Sequence, residues 1–173
     1  MLSFWNLIPA VAGAEIVNLA PIHGVAIAND SYPGLDPHLA IDANWDSNWA
    51  ASGNGSEENP YWLRVDLQKR YKVDKIVLVF SHNPDYPGMT NIYNLYNGND
   101  GTNWNLIQSG TLVDSTDPGV YVTTIPLFDH QVMQYLKYEV VGGTHWAGIF
   151  ETEIWGKPNP VNSTSATNFL LMD

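Results

Sequence analysis

Loops rich in aromatic, histidine and asparagine residues hold the side chains of this sequence that are best suited to chemistry. Sugars bind where aromatic rings stack on their C–H faces and a few fixed polar groups bond their hydroxyls. Trp146 gives the sharpest signal, because it stands between the glycines of Gly142-Gly-Thr-His-Trp-Ala-Gly148, where strand packing hardly explains a tryptophan. We predict a ligand-binding surface made of Tyr32, His82, Asn83, Tyr86, His145 and Trp146. In the alternative, Trp146 covers the core edge and the histidines are ordinary loop residues.

The carboxylates are not spaced for hydrolysis of a glycosidic bond, which requires two opposed acids. They lie side by side in a polar loop (Glu57, Glu58), on one strand (Glu151, Glu153) or in turns (Asp85, Asp100). The chain also has no G-x-S-x-G nucleophile turn and no phosphate-cradling glycine loop. We therefore expect a protein that is not an enzyme.

Histidine and cysteine give no metal or redox chemistry. The five histidines are scattered without an H-x-x-x-H pair, so a histidine-based metal site is not expected. The absence of cysteine excludes disulfide frameworks, thiolate metal sites and cysteine nucleophiles.

Composition and charge limit the class of partner. A chain of 173 residues suits one domain, and 45% hydrophobic with only 14% charged residues is typical of a folded chain. The net charge of −11 repels phosphate and argues against nucleic acid. The same charge, with loop tips rich in Pro, Gly and Asn, argues against membrane insertion. No stretch reaches the ~18 apolar residues of a membrane span.

The elements that must position these loops are strands. The predicted strands are rich in β-branched and aromatic residues and are separated by Gly, Pro, Asn and Asp clusters, without a long helical period. They cover 62–67, 75–80, 120–125, 135–141 and 150–155. In the first, Trp62 and Arg64 face away from Leu63, Val65 and Leu67. Many short strands in ~140 residues predict an all-β, antiparallel β-sandwich.

The chain divides into an apolar arm (1–16), a core domain (17–156) and a tail (157–173). The first residues resemble a secretory signal only in part, because they lack a basic region and are interrupted by Asn6 and Pro9. We expect this segment to remain uncleaved. Both ends are apolar, and residues 1–16 and 163–173 either pack on their own domain or dock on another subunit of a homo-oligomer or larger assembly; docking is favoured.

The order of these segments resembles the discoidin or coagulation-factor type C domain, a galactose-binding-like jelly roll shared with many carbohydrate-binding modules. The matching segments are Asn18–Ala20, the turn Ala40–Trp49, the strands Pro60–Leu67 and Lys72–Leu78, the turn Asn99–Trp104 and the closing strand Glu151–Gly156. The resemblance implies this fold and a core role for Trp49, Trp62, Trp104 and Trp155.

The sequence also departs from the family pattern. Ala43 and Gln68 replace glycines, Ser47 replaces a threonine, and no arginine stands in the segment 80–83 where galactose-binding members carry one. The Arg-Gly-Asp motif of fucose binders is absent. Neither galactose nor fucose specificity is therefore implied. Alanine at position 43 is expected to be tolerated only with a negative φ.

The resemblance further implies a structural calcium ion, which takes six to eight oxygen ligands. By family position these ligands are Asp42 and Glu151, the carbonyls of Leu39, Asn44 and Phe150, and Ser47. In the alternative, Asp42 only caps the turn and Glu151 is a solvated strand residue.

Two classes of function remain. The first is a non-catalytic, lectin-like domain that mediates adhesion to glycans or glycoconjugates. The second is a structural or assembly protein, such as a virion decoration or fibre protein or an extracellular filament subunit, that docks through its terminal arms. Either role predicts a location outside the cell or on a particle surface.

Overall fold

Antiparallel strands make up most of the structure. The computed structural model describes residues 15–81, 88–114, 120–158 and 160–161. Its strands are β1 (Val17–Asn18), β2 (Val25–Ala28), β3 (Trp49–Ala50), β4 (Tyr61–Ser81), β5 (Thr90–Gly98), β6 (Asn105–Val113), β7 (Val120–Thr144), β8 (Gly148–Ile149) and β9 (Glu151–Gly156). A short helix α1 (Ala20–His23) and a 3-10 turn (Pro37–Ala40) complete the elements. No helix in the described part of the chain is both long and apolar enough to cross a membrane.

Two long strands, β4 and β7, pair along most of their length at the centre of the main sheet. The first half of β4 pairs with β2 and with residues 135–140 of β7, which in turn pairs with β5, and β5 with β6. The second half of β4 pairs with β9 and with residues 120–133 of β7. The register between β4 and β7 shifts between Asp66 and Tyr71, an irregularity of the kind at which paired strands bend. The predicted antiparallel β-sandwich is confirmed.

Alternation along β4 sets the core. Leu63, Val65 and Leu67 are at most 1% exposed, whereas Trp62 and Arg64 are half-buried on the other face, as predicted. Residues 76–80 are all buried, as expected for a strand covered on both faces. Burial of these side chains, at roughly 25 cal/mol per Å² of apolar surface, drives the two layers together.

The strands predicted from the sequence differ from the observed strands in two ways. The predicted strands 62–67 and 75–80 are one strand, β4, and 120–125 and 135–141 are one strand, β7. Strands β5 and β6 were not predicted, because their sequences are rich in Asn, Gly and Ser, which are typical of turns.

The core role expected of four tryptophans was wrong for three of them. Trp49 is fully buried, and its indole N–H donates to the Asp30 carbonyl at 3.0 Å. Trp62, Trp104 and Trp155 are only half-buried. Their side chains lie on outer faces of the strands or in a turn, so each can contact both protein and solvent.

The start of the tail lies along β4 of its own domain. The amides of Lys157 and Val161 donate to the carbonyls of Lys72 and Arg70, at 3.0 and 2.7 Å. Residues 1–14 and 162–173 lie outside the described residues, so docking of the terminal arms stays a prediction.

Candidate functional site

A pocket of about 350 Å³ opens at one end of the sandwich; we call it the end pocket. Two of the predicted ligand residues, Tyr32 and Trp146, line it. The rest of the wall consists of apolar residues from β3, β4, β8 and the adjoining loops, together with one amide side chain. These residues include Leu35, Asn48, Phe80, Met89, Ile149 and Phe150. An aromatic, mostly apolar concavity with few polar groups is typical of a small-ligand site.

Tyr32 is presented by a tight turn. The Leu35 amide donates to the Tyr32 carbonyl at 2.9 Å, with Pro33 and Gly34 at the two central positions. Gly34 has a φ of 85°, which a type II turn requires at that position. The Tyr32 amide also donates to the Ala50 carbonyl on β3, at 2.8 Å. The backbone is therefore fixed while the phenol ring stays 53% exposed.

Asp30 anchors the start of the same loop. Its carboxylate accepts a 2.6 Å hydrogen bond from the Ser52 amide. Hydrogen bonds from Ser52 hold the pKa of the Asp30 carboxyl below its usual value. The charged form is therefore the one that fixes the loop.

The Trp146 loop is held between the segment that follows β3 and the strand β5. The Ala51 amide donates to the Ala147 carbonyl, and the Ala147 amide donates to the Gly53 carbonyl. Gly143 has a φ of 134°, and a Cβ there would lie 2.0 Å from the Thr90 carbonyl oxygen. Only glycine fits at this close approach, so the second glycine of the pair before Trp146 is explained by the fold itself.

The buried side-chain amide of Asn91 supports the Trp146 loop. Asn91 on β5 is 0% exposed, and its Nδ2 donates to the Gly148 carbonyl at 2.7 Å and to the Tyr138 hydroxyl at 3.1 Å. Buried carbonyls require such a partner. Sequence reasoning missed Asn91, because asparagine in an Asn-rich stretch is typical of a loop rather than of a core.

The other predicted ligand residues are placed differently. His145 is exposed, has a φ of 69° and contacts the Trp146 ring edge-on at 6.0 Å, but it does not line the end pocket. His82, Asn83 and Tyr86 lie outside the described residues. Phe80 and Met89, which flank that segment, both line the end pocket. Sequence reasoning missed them because apolar residues in or beside a strand suggest only core.

The turn predicted to bind calcium gathers oxygen atoms around one hydroxyl. Ser47 Oγ lies 3.0 and 2.9 Å from the two carboxylate oxygens of Asp42, 2.9 Å from the Asn44 carbonyl and 3.4 Å from the Leu39 carbonyl. A hydroxyl has one proton to donate, so it cannot satisfy four acceptors. Asp42 also caps the turn by accepting the Asn44 amide at 2.9 Å.

Glu151 is not the solvated strand residue of the alternative interpretation. It is 0% exposed, and neither carboxylate oxygen has a hydrogen-bond partner among the described residues. Burial, reinforced by the negative charge of Asp42, raises the pKa of Glu151 to about 8; the nearby amides of Ala43 and Asp42 lower it without compensating for burial. An unpartnered buried carboxylate is costly unless a proton or a cation neutralises it.

No three His, Asp or Glu side chains converge as a metal cluster in the described ranges. A cation held here would therefore rely on carbonyl and hydroxyl oxygens together with the two carboxylates. That donor set matches the preference of calcium.

Both residues that replace family glycines have a left-handed backbone. Ala43 has a φ of 62° and Gln68 a φ of 63°. The expectation that alanine at position 43 requires a negative φ was therefore wrong. The turn keeps its shape at a strain cost of roughly 1 kcal/mol per residue.

Comparison with known proteins gives the same architecture. The family profile of the F5/8 type C domain matches residues 25–152. No curated protein sequence matches the chain.

Solved structures with the same fold include three carbohydrate-binding modules. The family 32 module of NanJ from C. perfringens, solved with galactose, has a TM-score of 0.65 and 24% identity over 82% of this chain and 99% of its own. Chitosan-binding module 1 from a chitosanase/glucanase of Paenibacillus sp. IK-5 has a TM-score of 0.59 and 21% identity over 81% and 99%. The family 32 module of AlyQ, solved with 4,5-unsaturated mannuronic acid, has a TM-score of 0.57 and 22% identity over 75% and 92%.

The profile spans β2 to the second residue of β9 and thus includes the turn 39–47 and both loops of the end pocket. It covers well over half of the chain, and the segment order that resembled the discoidin domain follows the strands of the observed sandwich. This chain therefore belongs to the F5/8 type C (discoidin-like) domain family.

Proposed function

We propose that this domain binds glycans through the end pocket and catalyses no reaction. The observation that carries the proposal is the convergence of Tyr32 and Trp146 on one open, mostly apolar pocket. Rings held on fixed backbones can stack on a sugar without losing much conformational freedom. Three relatives of the same fold bind galactose, chitosan and an unsaturated mannuronic acid, which supports a saccharide as the ligand.

The pocket lining favours binding over hydrolysis. Its described lining residues include no carboxyl side chain, and a glycosidase requires a pair of them. Asn48 is the polar side chain best placed to bond a hydroxyl. The three relatives take different sugars, so we leave the choice of sugar to the experiment.

A glycan array of the purified protein beside a Trp146→Ala variant tests this proposal. Removing the ring should weaken binding at least about tenfold, which corresponds to about 1.4 kcal/mol. Trp45→Ala is the matched control: this indole is 41% exposed, donates to Glu153 at 3.2 Å and lies outside the end pocket. Equal binding by wild type and Trp146→Ala, with both folded by circular dichroism, would overturn the proposal.

We also propose that Asp42, Glu151 and the oxygens around Ser47 hold a structural calcium ion, with the Phe150 carbonyl as a further ligand. The support is the unpartnered carboxylate of Glu151 beside a turn with more acceptors than donors. Phe150 lines the end pocket, so an ion bound at Glu151 would stiffen its wall.

Calorimetric titration of CaCl₂ into chelator-treated protein should show one site in wild type and none in Asp42→Asn. If the wild type released or absorbed no heat of binding, the calcium proposal would be contradicted and the glycan proposal would be unaffected.

A further inference from the structure

A second concavity, of about 570 Å³, lies on the outer face of the layer that contains β2, β4, β7 and β5. We call it the sheet cleft; it shares no lining residue with the end pocket. We propose that the sheet cleft is a second saccharide site, which binds a neutral oligosaccharide lying across the strands. Its main residues are Trp62, Arg64, Trp104, Lys137 and Glu139.

The floor of the cleft carries an unusual pair of charges. Arg64 and Lys137 are direct cross-strand neighbours on β4 and β7. Like charges opposite each other destabilise a sheet, and the whole chain has only seven basic residues. The pairing places two side chains rich in hydrogen-bond donors side by side on the outer face, where a ligand that accepts hydrogen bonds could use both.

Aromatic rings hold both cations in place. Lys137 Nζ lies 4.6 Å from the centre of the Tyr96 ring and 5.1 Å from that of Trp104, and the Arg64 guanidinium carbon lies 5.6 Å from that of Tyr135. Cation–π contacts at these distances are attractive. The donors are consequently fixed before a ligand arrives.

Arg64 has bonding capacity to spare. Its Nε is buried and has no hydrogen-bond partner among the described residues. Leaving a buried donor unpaired costs about 1–3 kcal/mol. The cost shows that the guanidinium is not held by protein acceptors at Nε, so its remaining N–H groups are available to a sugar hydroxyl, and the partly exposed Trp62 beside it offers a ring face.

The charges of the cleft indicate a neutral ligand. Lys137 bonds Glu139 at 2.9 Å, and both are less than one-fifth exposed. The four charged lining residues, Arg64, Lys137, Glu58 and Glu139, sum to zero. The cleft therefore offers donors and acceptors, as vicinal hydroxyls require, without a net attraction for anions. The net charge of −11 on the whole chain further disfavours an acidic polysaccharide.

The ring of Trp104 is preorganised by the turn before it. The Asp100 carboxylate accepts the amides of Thr102 and Asn103, at 2.9 and 2.8 Å. These bonds, that from Asn103 foremost, hold the pKa of Asp100 far below its usual value, so the turn keeps its charged cap. A Cβ on Gly98 would lie 3.3 Å from the Trp104 ring. The ring thus packs directly on the backbone of β5 and forms a rigid wall.

The wall of the cleft that contains Trp62 is also fixed by hydrogen bonds. Asn29 accepts the Trp62 amide at 2.8 Å and donates to the Pro60 carbonyl at 2.9 Å. One side chain therefore ties the end of β2 to the start of β4. Both tryptophans of the cleft sit on a backbone that is already fixed.

The test uses the whole ¹⁵N-labelled chain carrying Trp146→Ala, so that binding in the end pocket is weakened. We would titrate it with neutral hexasaccharides of gluco, manno, xylo and galacto configuration and follow the indole N–H signals of Trp62 and Trp104. At least one hexasaccharide should shift both signals while the Trp45 signal stays in place. Failure of all four up to millimolar concentration would overturn the proposal, as would shifts caused only by an oligogalacturonate.

A second variant gives a readout of affinity. Trp104→Phe keeps an aromatic wall but reduces the stacking area, and it should weaken binding by about threefold to tenfold in the Trp146→Ala background. If the double variant bound the hexasaccharide as tightly as Trp146→Ala alone, the proposal would also be overturned. Binding in the cleft and binding in the end pocket are measured on separate signals, so either can fail without the other.

Discussion

At the scale of single residues, the tryptophans that the structure describes show that residue type does not set the role. Trp49 is fully buried and bonds a carbonyl, Trp146 lines the end pocket, and Trp45 is 41% exposed. Trp155 lies under the Lys75 ammonium at 4.8 Å and donates to Glu153 at 2.6 Å. What differs is the backbone position that presents each indole.

Ala43 should be a site where a smaller residue stabilises the fold. Its φ of 62° is disfavoured for alanine and open to glycine. We expect Ala43→Gly to raise the free energy of unfolding by about 0.5–1 kcal/mol, measured by urea denaturation.

Ala28→Gly is the matched control, because Ala28 is a half-buried strand residue without a positive φ. There the same change should lower the free energy of unfolding by roughly 0.5–1 kcal/mol. Destabilisation by both variants would show that the turn at position 43 is not strained.

At the scale of elements, the binding loops depend on strands that sequence patterns describe poorly. β5 supplies Asn91, which bonds the Gly148 carbonyl after Trp146. Ala50 of β3 accepts from the Tyr32 amide, and the segment directly after β3 bonds Ala147. β3 and β8 have only two residues each. Their pairing matters because it sets the distance between the two aromatic rings of the end pocket.

Asn91→Ala should loosen the Trp146 loop. The buried Gly148 carbonyl would lose its partner, at a cost of about 1–3 kcal/mol in the free energy of unfolding. Glycan affinity should fall as well, because Gly148 lines the end pocket. Urea denaturation and a glycan titration measure the two effects.

Asn94→Ala, three residues along the same strand, is the control. Asn94 accepts a 2.6 Å bond from Ser109 at the exposed face, so its removal should cost about 0.5 kcal/mol or less. A cost for Asn91→Ala no larger than this would contradict the anchoring role.

The buried Glu151 predicts how stability depends on pH when no cation is present. Its pKa in the fold, about 8, lies above the ordinary value of 4.5. The folded state therefore binds the proton more tightly than the unfolded state. Stability contributed by the protonated form is complete below about 4.5 and is lost as the pH rises towards 8. In chelator, the free energy of unfolding should fall by up to about 1.4 kcal/mol for each pH unit in that window.

Urea denaturation at pH 5 and pH 8 measures this loss. Glu151→Gln should flatten the dependence, and CaCl₂ at pH 8 should restore stability to the wild type only. A wild-type stability in chelator that rises across the window would contradict the raised pKa of Glu151, and a stability at pH 8 that does not respond to calcium would contradict the proposed ion.

At the scale of the whole molecule, charge and shape select the class of ligand. The chain carries a net charge of −11 and offers two concavities on one sandwich, at the end and on the outer sheet face. Single sugar sites of this kind bind weakly, and effective adhesion comes from several sites acting together. Two sites in one domain would supply part of that valency.

Glycan binding should be insensitive to salt. The described lining of the end pocket has no charged side chain and the charges of the sheet cleft sum to zero, so raising the NaCl concentration from low to high should change the Kd less than about twofold. Calorimetric titration of the glycan selected by the array gives this value. A Kd that weakens about tenfold would instead indicate an acidic ligand held by the few basic residues.

The sequence by itself determined the fold and the family, because both depend on local patterns. Leu63, Val65 and Leu67 alternate with polar residues over one short strand, and burial of that face needs no further information. The turn 40–49 and the closing strand 151–156 carry their signals in adjacent residues. The sequence also singled out Tyr32 and Trp146, because aromatic rings in Gly and Pro-rich loops are hard to explain by packing.

Only the tertiary structure decided which residues meet. Phe80, Met89 and Asn91 belong to the end-pocket region, yet each has the local pattern of core or loop. Arg64 and Lys137 are 73 positions apart, and the register of β4 with β7 alone makes them neighbours. Burial of Glu151 likewise follows from the packing of β9 against the turn 39–47. These properties depend on pairings distant in sequence, which residue type and spacing do not encode.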